Sequence, residues 1–412
     1  MNRRRFLRAG GATLGALTLS GLGGCGGDGA GAPSGRRLAI TMWEFSWLVR
    51  RAAPEAEYAD WDVALDALAE RGYDCIRLDV FPHLIAAGAD GARVERFTIT
   101  PRAPLFFWGN HQPVEVEPRR SLAEFLRKVR ARGLRVGLST WFCDDTLGRA
   151  ETVVTPADLA RVWRETLDFL ADERLLDLVE WVDLCNEFPL PTWARGAYPA
   201  IFGAPITNPL PVLLPWSAAA TAHVQSYLDE GIGPLRDAYP ELRYTFSVEG
   251  GTVGPKFRNL DTRSLDLAEV HIWLSNDPDF LLRSGQLFLL LGLPGSLALH
   301  TSTAPTLYFG DREGWLAKLR ALMDGWSAWS RERGLPILTT EAWGPINYDD
   351  VGTLDDASEW EWVKDVCREG ASAAIERGWT GICTSNFAQP HFEGPWSDVA
   401  WHRELTRRIR SG

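Results

Sequence analysis

The apolar stretch near the start of the 412-residue sequence falls short of the roughly 20 residues that a bilayer-spanning helix requires, which disfavours a helical membrane span there. It has no glycine-rich phosphate turn after its first strand-like segment, so the signature of a dinucleotide-binding fold is missing. Histidine is scarce, with seven residues, and His83, His111, His300 and His391 stand at no ligand-like spacing. No catalytic metal and no other cofactor is therefore expected. Cysteine is equally sparse. Besides Cys25 there are Cys75, Cys143, Cys185, Cys367 and Cys383, few and odd in number for a large domain, and most sit in or at the end of apolar runs. They read as small buried hydrophobes rather than as a disulfide framework or a metal site. Basic charge is in deficit, with 43 Lys and Arg against 54 Asp and Glu.

What is present begins with an address. NRRRFLRAGG supplies an arginine-rich start, GATLGALTLSGLGG a short apolar stretch of small residues, and LGGC ends it at Cys25. Arg3-Arg4-Arg5-Phe6-Leu7 resembles a bacterial twin-arginine export signal, and Leu22-Gly23-Gly24-Cys25 resembles a lipobox whose cysteine is lipidated. An ordinary secretory signal cleaved nearby is the alternative. Residues 1–25 thus read as an export signal, 26–36 as a flexible tether and 37–412 as one large domain of an exported, lipid-anchored bacterial protein, periplasmic or at the cell surface. Loss of residues 1–24 takes four Arg with it, leaving 39 basic against 54 acidic residues and a net charge of −15. That disfavours nucleic acid and anionic lipid as partners and leaves the lipid anchor as the expected membrane contact.

Beyond residue 36, apolar runs alternate with helical patterns. RLAITMWEF, YDCIRLDVF, LRVGLSTWF, LVEWVDLCNEF, LRYTFSVEG, LAEVHIWLS, LPILTTEAWG and WTGICTSNF are each followed by a helical segment, reduced after the fifth to a short DTRSLD turn. Several helices open on Asp, Ser or Thr and close on Gly, as caps do. Continuous apolar strands separated by helices indicate a parallel sheet covered on both sides. Eight such units predict an α/β fold of the (β/α)8 TIM-barrel type; an open doubly wound sheet is the alternative.

In such barrels chemistry lies at the carboxyl ends of the strands. Strand one ends with Trp43, Glu44 and Trp47; strand two carries Arg77, Asp79 and then His83; strand three ends with Trp141, Asp144 and Asp145. Strand four delivers Asn186 and Glu187, strand five Glu249, strand six His271 and Trp273. Strand seven delivers Glu341 and Trp343, and strand eight Asn386, Gln389 and His391. Two carboxylates have the better claim, because CNEF and TTEAW each place a Glu directly after an apolar strand. An unpartnered buried charge costs several kcal/mol, so each needs a compensating role. An ion pair would serve for either alone. Glycoside hydrolysis would use both, since two carboxyls about 5–5.5 Å apart support a covalent, retaining displacement.

Asn186-Glu187 after strand four, with Glu341 after strand seven, resembles the clan A glycoside hydrolases, in particular the cellulase-like enzymes of family 5, over roughly residues 37–410. The resemblance implies retaining hydrolysis of a β-linked glucan or mannan, with Glu187 as general acid/base and Glu341 as nucleophile. It further implies that Asn186 binds the sugar 2-hydroxyl, that Arg77 keeps the nucleophile ionised, and that His271 lies near the acid/base. Three positions depart from the family. Trp273 stands where the family has Tyr, strand three lacks the family's His and has Trp141 in that region, and strand eight reads TSNFAQPHF in place of a Trp platform. These leave the sugar and subsite layout open and allow a carbohydrate-binding barrel without turnover as the alternative. A metal-free barrel enzyme of another class, such as an isomerase, is disfavoured because no Lys or His takes an obvious general-base position.

Nineteen Trp is high, and Trp43, Trp47, Trp108, Trp141, Trp193, Trp273, Trp343 and Trp396 fall near the strand ends or loops. A flat indole covers the C–H face of a sugar ring while its N–H stays free for a hydroxyl; core packing is the alternative at any one position. Trp43, Glu44, Trp141, Trp273, Trp343 and Asn386 are thus expected to bind substrate. Glu249 is a rival carboxylate or a turn residue. The apolar LFLLLGLPGSLALH in the 275–310 insertion reads as a lid or a membrane-facing patch.

Overall fold

A computed structural model describes residues 36–51, 57–100, 110, 112–291, 293–344 and 360–412. Cys25 with the export signal, the tether through residue 35, Trp108 and His111 lie outside the described residues.

Side chains alternate across an extended strand, and this parity decides what faces the barrel interior. Strand β1 (Leu38–Glu44) directs Ile40, Met42 and Glu44 inward and Trp43 outward, and its parallel neighbour β2 (Cys75–Asp79) directs Cys75, Arg77 and Asp79 inward. A short antiparallel pair, β3 (Phe97–Ile99) and β4 (Val114–Val116), forms a separate sheet. The barrel continues with β5 (Arg135–Ser139), β6 (Val179–Asp183), β7 (Tyr244–Thr245), β8 (Val248–Glu249) and β9 (Ala268–Trp273). It ends with β10 (Ile337–Thr339), β11 (Ala342–Trp343) and β12 (Gly381–Cys383).

Parallel pairing runs from β12 through β1, β2, β5 and β6 to β7, and from β8 through β9 and β10 back to β12. Only Phe246 and Ser247 separate β7 from β8, and only Thr340 and Glu341 separate β10 from β11, so each pair is one interrupted strand. The ladder therefore closes on eight strands. The molecule is a single-domain (β/α)8 barrel, as the alternation of segments predicts.

Ile40, Cys75, Trp181, Leu267 and Leu338 fill the amino-terminal half of the barrel as a cluster distinct from the larger core between strands and helices. Met42, Arg77, Gly137 and Trp181 are successive register partners across four strands. A Cβ on Gly137 would stand 2.1 Å from the Trp181 ring, so the interior accepts the indole only beside a glycine.

Seven long helices cover the strands: Trp61–Glu70, Pro118–Ala131, Pro156–Asp172, Ala218–Ala238, Arg312–Arg333, Glu361–Glu376 and Val399–Ser411. Asp60, Thr155, Ser217 and Asp311 cap four of them by accepting backbone N–H groups of the first turn, and Thr155 with Asp158 forms a reciprocal box. Helix Pro156–Asp172 buries Leu159, Val162, Trp163, Thr166, Leu167 and Leu170, the three-and-four spacing of one face. Each large apolar side chain so buried contributes about 1.5–3 kcal/mol. After the fifth strand only the single turn Gly254–Phe257 remains.

The insertion after the sixth strand folds into Pro278–Arg283, Gln286–Leu290 and Ser296–Gly310. It buries Phe280 and Tyr308 against Trp315 and Trp362, and exposes Leu282, Leu291, Leu293, Leu299 and Phe309. Cys75, Cys143, Cys185, Cys367 and Cys383 are buried free thiols. Among the described residues, no helix is long and apolar enough to cross a membrane.

Candidate active site

Arg77 is the hub at the carboxyl end of the barrel. It is fully buried, and its guanidinium reaches three carboxylates: Nη1 donates to Glu341 at 2.8 Å, Nη2 to Asp183 at 2.7 Å, and Nε pairs with Glu269 at 2.8 Å. Nη2 also lies within hydrogen-bond distance of the Asn186 amide oxygen (2.8 Å) and the Ser139 and Ser247 hydroxyls (3.1 and 3.2 Å). The Trp141 ring covers the guanidinium carbon at 4.4 Å. Such a planar cation can satisfy several carboxylates at once, which a lysine cannot.

Glu187 leaves the fourth strand with φ of 44°, a left-handed conformation that costs a non-glycine residue roughly 1–3 kcal/mol and gathers at functional positions. Its backbone N–H donates to the Ser247 hydroxyl at 2.9 Å. Its carboxylate meets His271 Nδ1 at 3.1 Å and accepts the Trp193 indole N–H at 3.3 Å. His271 Nδ1 also stands 3.9 Å from the other oxygen of Glu341, and Nε2 contacts the Thr340 hydroxyl at 3.2 Å. One oxygen of Glu187, one ring nitrogen of His271 and one oxygen of Glu341 all lie within 4.8 Å of one another. The two glutamates, far apart in sequence, thus share one imidazole. The positive charge between them is His271's own.

The electrostatics follow from burial and these contacts. Burial opposes a charged His271, but Glu341, Glu187 and Glu269 outweigh it and raise the imidazole to about 9, so it is a cation at neutral pH. Burial also pushes Glu341 above the usual carboxylate range, while His271 and Arg77 pull it back. Glu44, buried with one oxygen accepting the Gln389 amide at 2.7 Å and the other the Ser46 hydroxyl, is driven by desolvation up to about 8. It is therefore a neutral acid at pH 7.

Asn186 offers a buried donor. Its oxygen is taken by Arg77, and its Nδ2 has no protein partner. Trp141 Nε1 is likewise buried and unpartnered. Trp273 is half-buried at the end of β9, and its backbone N–H donates to the Asn276 side-chain oxygen at 2.8 Å.

Several expectations are corrected. Trp43 does not face the site: it has the opposite parity to Glu44, packs on Tyr58 and Phe125, and donates to the Ala388 carbonyl. Trp343 also points into the helix layer, against Trp379 and Gly370, and donates to the Cys383 carbonyl at 2.9 Å. Trp47 packs between Trp61 and Phe125, and Trp396 stacks on Arg71, the residue that ends helix Trp61–Glu70. Asn386 braces the seventh strand, its oxygen accepting the Ala342 N–H at 3.1 Å. Of the two readings of Glu249, rival carboxylate or turn residue, the contacts match the turn: it accepts N–H groups of Gly251, Thr252 and Val253 together with the Asn276 amide. Asp79, which strand two also carries, accepts the backbone N–H groups of Phe81 and Trp141.

Comparison with known proteins agrees with this geometry. A family model described as sugar-binding cellulase-like matches residues 40–410. The chain belongs to this cellulase-like family. Among solved structures, a protein from Parabacteroides distasonis described as a glycoside hydrolase on a provisional basis shares 33% identity at TM-score 0.77, with 91% of this chain and 94% of that chain covered. A broad-specificity endoglucanase from Clostridium longisporum (12% identity, 91% and 96% covered, TM-score 0.49) and an endo-1,4-β-D-mannanase from Thermotoga petrophila (12%, 84% and 87%, 0.47) are far more distant. No curated protein matches the chain. The family match spans nearly the whole barrel.

Two residues of this cellulase-like site were missed by sequence reasoning, Asp183 and Glu269. Each is an acid inside an otherwise apolar strand, in EWVDLC and LAEVHIW, and each shares its parity with an inward neighbour: Trp181 for Asp183 and His271 for Glu269. That pattern was the available signal.

Proposed function

We propose that this protein is a retaining glycoside hydrolase of β-linked glucan- or mannan-type chains, with Glu187 as acid/base and Glu341 as nucleophile. The observation that carries this reading is the proximity of the two carboxylates around His271, all within 4.8 Å. An inverting site needs about 6.5–9.5 Å between carboxyls to admit a water, whereas a covalent one needs about 5–5.5 Å.

In the first step Glu187 gives its proton to the glycosidic oxygen while a Glu341 oxygen bonds the anomeric carbon and the C–O bond to the leaving group breaks. In the second, water attacks the same carbon, its proton passes to Glu187, and Glu341 leaves as a carboxylate. Division of labour follows exposure. The Glu187 side chain is 14% exposed and can exchange a proton with water, while Glu341 is 3% exposed and held by Arg77. The unpartnered Asn186 Nδ2 donates to the sugar 2-hydroxyl, a bond that tightens in the transition state. Trp141 and Trp273 line the sugar from the third and sixth strands.

Export by the arginine-rich leader and lipidation at Cys25 would place this activity outside the cytoplasm, tethered to a membrane. Labelling cells with an alkynyl fatty acid tests it, since Cys25→Ala would then lose the label. The hydrolytic reading is tested by proton NMR of the first product from a β-glycoside. The β-anomer should appear first; initial release of the α-anomer contradicts retention.

A further inference from the structure

One buried carboxylate has no part in the chemistry just described. Glu269 precedes His271 by two residues on β9, so both side chains point into the barrel, and Glu269 is 1% exposed. Its Oε1 lies 2.8 Å from Arg77 Nε, accepts the Thr340 hydroxyl at 2.5 Å and stands 3.9 Å from His271 Nε2. Its Oε2 accepts the Trp181 indole N–H at 2.8 Å. Arg77 turns a different nitrogen, Nη1, to Glu341, and His271 turns its other nitrogen, Nδ1, to Glu187. Glu269 thus pairs directly with the far side of Arg77 and faces the far side of His271 beside the Thr340 hydroxyl, which contacts both.

We infer that Glu269 is a positioning residue: a fixed anion behind Arg77 and His271 that sets which edge each presents to Glu341 and Glu187, and that holds the second proton on the imidazole. An isolated carboxylate buried here would cost several kcal/mol, and its two cationic neighbours offset that cost. Burial pushes Glu269 up, yet Arg77 and His271 bring it below the ordinary carboxyl range, so it is an anion throughout the working pH range. The charged groups facing His271 are Glu187 from the fourth strand, Glu269 on its own strand, Glu341 from the seventh and Arg77 from the second. Of these, only Glu269 meets the Nε2 side. Thr340, which separates β10 from β11, donates to Glu269 and closes that side.

The effect on rate rests on the proposed roles of Glu187 and Glu341, but the state of His271 is read without any substrate. The full chain, labelled with 15N-histidine, is titrated by NMR, with His271→Asn assigning the signal. In the unaltered protein the His271 midpoint is expected well above the ordinary 6.5, near 9. Glu269→Gln preserves shape and removes the charge, and is expected to lower that midpoint by about one unit or more, a tenfold loss of proton affinity. On an aryl β-glycoside, kcat is expected to fall with KM little changed, and the alkaline limb of the pH profile to move down with the midpoint. A folded Glu269→Gln protein with an unmoved midpoint overturns the inference, and so does an ordinary midpoint in the unaltered protein. If Glu269→Gln does not fold, Glu269→Asp keeps the charge but draws it back. Its kcat should fall and its midpoint should drop by a smaller amount; no change in either overturns the inference. Absence of hydrolysis with the midpoint shift intact would refute the functional reading alone.

Discussion

Arg77 Nη1 donates to Glu341 Oε1 over 2.8 Å, and neither side chain is more than 3% exposed. The site is organised around that contact, because the same guanidinium also ties Asp183, Glu269 and Asn186 to the nucleophile candidate. Strands two, four, six and seven meet at one cation.

Replacement of Arg77 should therefore be costly in two ways. Arg77→Met leaves three buried carboxylates without their counter-charge and is expected to lower stability by about 3–5 kcal/mol in urea unfolding. Arg77→Lys keeps one charge but cannot span three carboxylates, and is expected to lose both stability and hydrolysis. Unfolding midpoints equal to that of the unaltered protein for both would contradict the buried network.

Stability should fall as pH rises. His271 is raised from 6.5 to about 9 in the folded state, so its contribution is complete below about 6.5 and is lost as pH climbs through 9. Glu44 is raised from 4.5 to about 8, so the folded state retains a proton that the unfolded state has released, and this contribution declines between those values. Both act in one direction. Thermal denaturation should show Tm decreasing from pH 6.5 to 9, and Glu44→Gln should flatten part of the fall; a Tm that rises across this window would contradict the assigned charge states.

The tryptophans separate into two classes. Trp43→Phe and Trp343→Phe remove outward, helix-packed indoles and are expected to cost about 1–3 kcal/mol of stability with KM unchanged. Trp193→Phe removes the donor to Glu187 and is expected to lower kcat with little effect on Tm. Steady-state kinetics beside thermal melts distinguish the two. The opposite pattern would return Trp43 and Trp343 to the sugar.

The barrel was legible in the sequence because eight apolar runs alternate with helices whose caps, such as Asp60 and Thr155, stand where the first turns need them. Glu187 and Glu341 were legible because an acid directly after an apolar strand has few innocent explanations. The direction of each tryptophan was not legible from proximity to a strand end, because β1 shifts register between Met42 and Glu44, and only the contacts show Trp43 on Tyr58 and Phe125 while Glu44 meets Gln389. Strand parity was available but had to be counted from a residue known to point inward. Glu269 and Asp183 were hidden for a related reason: their partner Arg77 comes from a strand more than a hundred residues earlier, and only the closed barrel brings them within 2.8 Å. The turn role of Glu249 was one of two readings of the sequence, and the N–H groups two to four residues on satisfy it locally.

The most direct measurement is covalent trapping of the purified domain with a panel of activated 2-deoxy-2-fluoro β-glycosides, followed by mass analysis of the labelled peptide. A fluorosugar on Glu341, absent from Glu341→Gln and formed slowly in Glu187→Gln, is the expected result. A label on any other carboxylate, or hydrolysis of the same sugars with inversion and no trapped intermediate, would contradict the two-glutamate displacement.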